Sequence, residues 1–190
     1  MIRGKIATLR VPTEADLADY NAWMADPLVR QGRAWHEPAT LATWKERLLE
    51  TAKDRRQVLW SISEKDRLVG LCVVRMSWEG NDVVELAHLV VEPAAQRRGI
   101  GGDAALALHR YLFDYLNVRA TETALPADAV AALRIIERLG YTRYAHGTAV
   151  YYRDGAYTDE LRFRFDRATW DERWGASERE YPPHAPEAVL

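Results

Sequence analysis

Cysteine is nearly absent from this 190-residue chain, and Cys72 is the only one. An intrachain disulfide is therefore excluded, as is a metal cluster built on cysteines. Cys72 sits in an apolar run and reads as a small core residue, with a catalytic thiol as the minor alternative. Lysine is scarce too: of 26 basic residues only Lys5, Lys45, Lys53 and Lys65 are lysines. A basic excess is missing, since the formal net charge is -2 and the pI about 6.2. Proteins that bind phosphate backbones usually carry a basic excess or stripe, so nucleic acid is not an expected partner. No apolar run approaches the ~18 residues that suggest a membrane helix. No long apolar stretch follows Met1 to Lys5, so no secretion signal is expected. Neither a metal nor a membrane partner is expected, and the cytoplasm is the expected location.

The apolar content of 48% and charged content of 28% suit a globular chain with a core. Lys5 to Val11 reads as a strand closed by Pro12. Thr13 followed by Asp16 resembles a helix N-terminal box, and that helix buries Leu17, Tyr20 and Trp23 or Met24 before Asp26-Pro27 breaks it. Leu28 to Pro38 is loop-like, and a second helix is expected from Thr40 to Lys53. The period then switches to two. Gln57–Ser63, Leu68–Trp78 and Val83–Val91 read as an antiparallel meander, with turns at Lys65-Asp66 and at Glu79 to Asp82. A helix from Gly101 to Leu116 aligns Leu108, Leu112 and Tyr115 on one face. Val118 to Leu125 reads as a strand and Asp128 to Leu139 as a helix stopped by Gly140. One strand-helix-strand crossover implies a parallel pair inside an otherwise antiparallel sheet. Asp154-Gly155 joins Thr142–Arg153 to Ala156–Asp166 as a hairpin. From Gly175 onward the chain has prolines and no apolar period, and flexibility or docking elsewhere is expected.

Leu89 to Gly102 is the informative stretch. A hydrophobic strand enters it and a helix leaves it. Gly99, Gly101 and Gly102 remove side chains where a ligand could approach the backbone. The first amides of the following helix lack intrahelical partners and favour an anion. Arg97 and Arg98 add positive charge at the edge, so the arrangement suits a pyrophosphate. A P-loop is excluded, because no Gly-Lys-Ser/Thr follows. Gly99 to Ala104 fits the dinucleotide pattern Gly-x-Gly-x-x-Ala, with Glu122 near the place of a ribose-binding acid. Pro93 to Arg98 intervene between strand and glycine, however, which disfavours that reading. A glycine-rich turn without a ligand is the plainest alternative.

Gln96-Arg97-Arg98-Gly99-Ile100-Gly101 matches the Gln/Arg-x-x-Gly-x-Gly/Ala signature, and the sequence here resembles the GNAT superfamily of N-acetyltransferases. Leu9 to Asp16, Ile136 to Tyr141 and Asp154 to Asp159 add a resemblance to its ribosomal-protein-acetylating subgroup. The resemblance implies an α/β (α+β) fold: a mixed, mostly antiparallel sheet flanked by helices, with a splayed parallel strand pair at the cofactor site. It implies a domain over residues 5–167 and a C-terminal extension over 168–190. It implies acetyl-CoA as cofactor, with Leu89, Val90 and Val91 bonding the pantetheine arm. Gln96, Arg97, Arg98, Gly99, Ile100, Gly101 and Gly102 hold the pyrophosphate in the same picture. Transfer to a primary amine, on a protein N-terminus or a small molecule, is expected by direct attack in a ternary complex. A non-catalytic acyl-CoA-binding member of the same fold is the alternative, and a homodimer remains open.

Similar enzymes often carry a glutamate early in this strand, so the resemblance makes Glu85 the candidate base that deprotonates the amine, against a carboxylate that only salt-bridges or orients substrate, and His88 is the alternative base. Simple alternation puts the two on opposite sheet faces, whereas a bulge would reset the facing. In the last helix, Ala129, Ala132 and Ile136 stand where relatives usually carry Asn, Ser and an acid Tyr. Asp128 replaces the Asn only if the register shifts. Tyr141 and Tyr157 are expected to be core before acid, and Asp159 to make a buried structural hydrogen bond. Trp23, Trp35, Trp44, Trp60 and Trp78 lie in the half where, by the resemblance, the family builds its acceptor site; most are expected to be core or lid, with one or two lining an acceptor pocket. Trp170 and Trp174 are expected to anchor the C-terminal segment or a dimer contact.

Overall fold

The computed structural model describes residues 1–26, 29, 40, 42–43, 45–46, 50, 53, 56–76, 83–153 and 155–175. Eight strands form one sheet in the order β1-β2-β3-β4-β5-β6-β8-β7. They are β1 (Ile2–Arg3), β2 (Thr8–Arg10), β3 (Gln57–Glu64), β4 (Arg67–Met76), β5 (Val83–Val91), β6 (Ala120–Pro126), β7 (Thr142–Arg153) and β8 (Ala156–Asp166). Helix α1 spans Asp16–Ala25, α2 Ile100–Arg110, α3 Val130–Leu139 and α4 Arg167–Arg173. Among the described strands only β5 and β6 run parallel. The expected mixed sheet with one parallel pair is therefore present. The first strand is shorter than its apolar pattern implied, and the two-residue β1 precedes it.

Each face of the sheet has its own core. The larger cluster includes Leu9, Ile62, Val69, Val84 and Phe165 of the sheet, with Ile100, Ala104, Leu108 and Ile136 from α2 and α3. The smaller cluster joins Leu71, Val73 and Val90 to Tyr20 of α1, with Leu17 and Trp23 beside it. Half of the expected box forms: the Asp16 side chain accepts the Thr13 N–H at 2.8 Å, but the helix cap is Ala15 and carries no side-chain cap bond. The same carboxylate takes both arms of Arg10 at 2.8 Å and the Ser61 hydroxyl at 2.7 Å. Burial alone would raise its pKa. These donors outweigh burial and hold it down to about 2. The helix ends at Ala25 with Asp26 extended, as a following proline requires. Of the expected helix over Thr40 to Lys53, the described Ala42, Thr43, Lys45, Glu46, Glu50 and Lys53 are helical. Trp35, Trp44, Trp78 and the expected turn at Glu79 to Asp82 lie outside the described residues.

Three expectations change. The helix from Ile100 stays α-helical only to Arg110 and widens into a π turn over Tyr111–Tyr115. The wider turn keeps Leu112 and Phe113 buried but rotates Tyr115 into solvent, so Tyr115 does not share the face of Leu108. In β8, Asp159 is not buried: its side chain is 37% exposed. Its oxygens accept the Ala149 N–H at 2.8 Å and bond His146 Nε2 at 2.7 Å, stitching a bulge in β7. Glu160 is the buried carboxylate instead, held by Tyr151 and Arg162. Tyr157 is not core either, being exposed near the hairpin turn against Tyr152, with ring centres 5.0 Å apart.

Trp170 and Trp174 dock α4. The Trp170 indole N–H donates to Asp114 and that of Trp174 to the Leu139 carbonyl. Trp170 is buried against Phe113 and Phe165.

Candidate active site

The site begins where β5 leaves β6. The strands pair through Val83–Ala120, Val84–Thr121 and Glu85–Glu122, and no further. β5 nevertheless runs on to Val91 and β6 to Pro126. The strands thus splay from Glu85 onward. Where Leu86 would meet Thr123, the Thr123 hydroxyl donates to the Leu86 carbonyl at 2.9 Å, so a side chain spans the widening gap. At the far end the Gln96 side-chain amide donates to the Val91 carbonyl at 3.0 Å. Between these two plugs the ladder between β5 and β6 is interrupted, which leaves a gap alongside Ala87 to Val90. Their other edge pairs with β4 through Val73–His88, Cys72–Leu89, Leu71–Val90 and Gly70–Val91.

β5 also bulges here. Val73 lies opposite His88 while Val74 lies opposite Leu86, so Ala87 is the extra residue outside the ladder. The bulge resets the facing. Arg75, opposite Glu85, and Val73, opposite His88, share one face of β4. Glu85 and His88 therefore both lie on the α1 face. Leu89 and Val91 turn to the opposite face and pack on the larger core, whereas Val90 belongs to the smaller one.

The Arg75 guanidinium reaches both oxygens of Glu85 at 3.1 Å, and the Glu85 side chain is 42% exposed. Glu122 sits beside Glu85 on the neighbouring strand, and two carboxylates so placed repel. Arg164 relieves this by donating to Glu122 at 2.8 Å, with the Tyr144 hydroxyl donating at 3.2 Å. The row across the sheet thus reads Arg75, Glu85, Glu122, Arg164. Composition did not point to Thr123, Arg75 or Arg164, because only the register brings them to Glu85. Glu122, a potential ribose ligand by spacing, lies instead at the start of the splay.

A short 3₁₀ turn, Pro93–Ala95, carries the chain from β5 into the loop. Each glycine then serves a different purpose. Gly99 caps α2 with a φ of 84°, a left-handed conformation that favours glycine. A Cβ on Gly101 would come within 3.3 Å of Ile135 and 3.5 Å of Val91, so this glycine lets helix and strand pack closely. A Cβ on Gly102 would meet no described atom within 4 Å, so space lies open there. The amides of Ile100, Gly101 and Gly102 open the helix, one turn before any carbonyl of α2 can accept them. Asp103 N–H is already bonded to the Gly99 carbonyl at 3.0 Å. Arg97 is exposed with a φ of 61°. Arg98 is also exposed, and its guanidinium forks onto Glu64 at 2.7 and 2.8 Å. Part of the expected positive charge is therefore paired within the protein. The helix amides and the open space at Gly102 still fit a pyrophosphate.

On α3, Ile136 is buried in the core and offers no proton, Ala129 is the buried N-cap and Asp128 is exposed. Tyr141 is buried, its hydroxyl 2.7 Å from His109 Nε2 and 2.8 Å from Thr121 Oγ1. Burial pushes its pKa up, and burial likewise pushes the Cys72 thiol far up, so neither ionises readily. Of the described tryptophans, Trp23 packs on the face of Glu85, whereas Trp60 belongs to the opposite face, edge-on to Tyr111. Among the described residues, no three His, Cys, Asp or Glu side chains gather to hold a metal, and no helix is long and apolar enough to cross a membrane.

Comparison with known proteins adds to this geometry. A family profile described as an acetyltransferase (GNAT) domain matches residues 9–161. A spermidine N-acetyltransferase from Vibrio cholerae, solved with CoA and spermine, superposes with a TM-score of 0.79 at 17% identity, covering 86% of this chain and 97% of that one. A probable GNAT-family acetyltransferase from Chromobacterium violaceum gives 0.76 at 17% identity, covering 90% and 87%. A GCN5-related N-acetyltransferase from Brucella melitensis gives 0.73 at 18%, covering 89% and 79%. At these identities the likeness is one of fold. No curated relative matches the sequence.

Proposed function

This chain belongs to the GNAT acetyltransferase family, and from that premise we propose that it acetylates the primary amine of a small, cationic molecule. The family takes its acetyl group from acetyl-CoA. When bound, that cofactor supplies an activated thioester. The observation that carries the reading is the coincidence, at one point, of the splay after Glu85, the bulge at Ala87 and the open start of α2. Ile100, Gly101 and Gly102 offer amides to the pyrophosphate, with Gln96, Arg97, Arg98 and Gly99 shaping the loop around it. Leu89, Val90 and Val91 offer backbone groups along the gap to the pantetheine arm. In this reading the backbone amide of Ala87, the residue outside the ladder, polarises a carbonyl in the gap.

Glu85 takes the proton of the attacking amine, directly or through water, and attack occurs in a ternary complex. Arg75 holds that carboxylate at the mouth of the gap. No side-chain acid is assigned, since Ile136 is apolar and Tyr141 is buried in a network of its own. The domain spans residues 5–167 in this reading, with 168–190 as a C-terminal extension. The enzyme acts in the cytoplasm, without nucleic acid or a membrane. Exposed Tyr144, Val150 and Tyr152 on the outer strand β7 provide a surface for a homodimer.

The named activity of the Vibrio cholerae relative supports a polyamine as the acceptor. The motifs at Leu9 to Asp16 and Ile136 to Tyr141 support a second reading, a ribosomal-protein N-terminus. Incubation with acetyl-CoA and a panel of spermidine, spermine and N-terminal peptides, with release of free thiol followed, separates them. Turnover with a polyamine is expected. Turnover only with peptides favours the second reading, and binding of acetyl-CoA without turnover of any amine overturns both in favour of a non-catalytic binder.

A further inference from the structure

Asp103 stands in the first turn of α2 and does not face the gap. Its carboxylate points at the turn between β1 and β2. There Oδ1 accepts the Lys5 N–H at 2.9 Å, and Oδ2 accepts those of Ile6 at 2.7 Å and Ala7 at 2.8 Å. Gly4 makes this approach possible, because a Cβ on it would lie 2.2 Å from Asp103 Oδ2. The Ile6 side chain reaches over the helix cap, 3.5 Å from the Cβ position of Gly99. The N-terminal turn therefore grips the start of α2 from one side. Ile135, Val91 and Leu89 meet it at Gly101 from the other.

We propose that Asp103 is a positioning residue for cofactor binding: it fixes the start of α2 so that the amides of Ile100 to Gly102 converge on the pyrophosphate. The proposal rests on the assignment of that loop to acetyl-CoA. The amides only work as a set if the helix axis is held, since hydrogen bonds weaken steeply as their angles open. A carboxylate bonded to three backbone N–H groups is a strong local restraint, because charged acceptors form the shorter and stronger bonds. It serves a second purpose. A first-turn carboxylate left loose would itself compete for the positive end of the helix. Bound to residues 5–7, it leaves that end to the ligand.

Two variants break the contact from opposite sides. Asp103→Asn removes the charge and one acceptor. Gly4→Ala keeps the charge but displaces the carboxylate from the turn. Each is expected to raise the Kd for CoA in calorimetry, and the KM for acetyl-CoA, by about five- to tenfold, the scale of losing one good hydrogen bond. kcat at saturating acetyl-CoA is expected to stay within about twofold, because uniform binding is what is lost. The double variant is expected to be no weaker than the worse single one, since both cut the same contact. Wild-type Kd in both single variants, with only Tm lowered, would overturn the proposal and leave Asp103 as a brace of the fold. Gly102→Glu keeps the two readings apart: it places a carboxylate in the open space at the loop without a packing clash. Unchanged CoA affinity in that variant would sink the loop assignment itself, whereas lost affinity there with unaffected Asp103→Asn and Gly4→Ala variants sinks only the positioning role.

Discussion

Glu85 and His88 show how one extra residue decides chemistry. Strict alternation separates them by a sheet face. The bulge at Ala87 brings both to the α1 face, and Arg75 then selects Glu85 by forking onto it. Replacing Glu85 with Gln keeps the shape and an acceptor for Arg75 but removes the base. The expected result is a fall in kcat of about a hundredfold at neutral pH, the usual range for general-base removal, with the KM for acetyl-CoA within about twofold. A wild-type rate in that variant, alongside a loss in His88→Asn, would transfer the role to His88. The loop glycines were readable as a set. Their separate reasons were not, because the packing of Gly101 against Ile135 and the open space at Gly102 depend on where α3 lies.

Among the elements, those set by local chemistry were the most legible. The strands β3, β4 and β5, the break at Asp26-Pro27 and the stop at Gly140 all follow from period, proline and glycine. The Lys65-Asp66 turn is a further case, with a cost attached. Both residues hold positive φ, 47° and 66°, as a two-residue hairpin turn demands, and neither is glycine or asparagine. Lys65→Asn together with Asp66→Gly is expected to stabilise the fold by about 1 kcal/mol, because left-handed backbone costs an ordinary side chain roughly that much. Thermal unfolding should then shift upward by about 2–4 °C. An unchanged or lower Tm would mean that the turn carries no such cost. The π turn at Tyr111–Tyr115 had no sequence signal, since its apolar spacing equally suits an α-helix.

At the level of the whole molecule, two buried polar sites make stability depend on pH. His109 is fully buried, with Nδ1 donating to the Ala105 carbonyl at 2.6 Å and Nε2 facing the Tyr141 hydroxyl. Burial lowers its pKa to about 4, against an ordinary 6.5. The neutral ring belongs to the folded state, so between those values the unfolded chain takes up a proton that the folded chain refuses. Stability therefore falls as pH drops from 6.5 towards 4, by about 3 kcal/mol in all. Asp16 adds a second loss at lower pH. Its carboxylate is held down to about 2, so its contribution is present above its ordinary 3.8 and disappears as pH falls through 2. Tm followed by circular dichroism should decline from pH 7 to 4 in the wild type and decline less in His109→Gln. A flat wild-type profile over that range would count against the buried neutral ring.

By itself the sequence determined the elements from the first helix to the last hairpin, the single crossover and the glycine loop at a helix start, but not β1 or α4, because period, turn chemistry and spacing act over a few residues. Those features also carried the family resemblance. The tertiary structure alone decided which side chains stand beside Glu85, where the parallel strands part, and that Asp103 reaches back to residues 5–7. These depend on strand register and on contacts between residues some 10 to 98 positions apart in the chain. No local pattern encodes such pairings, because each partner looks ordinary until the fold brings the other to it.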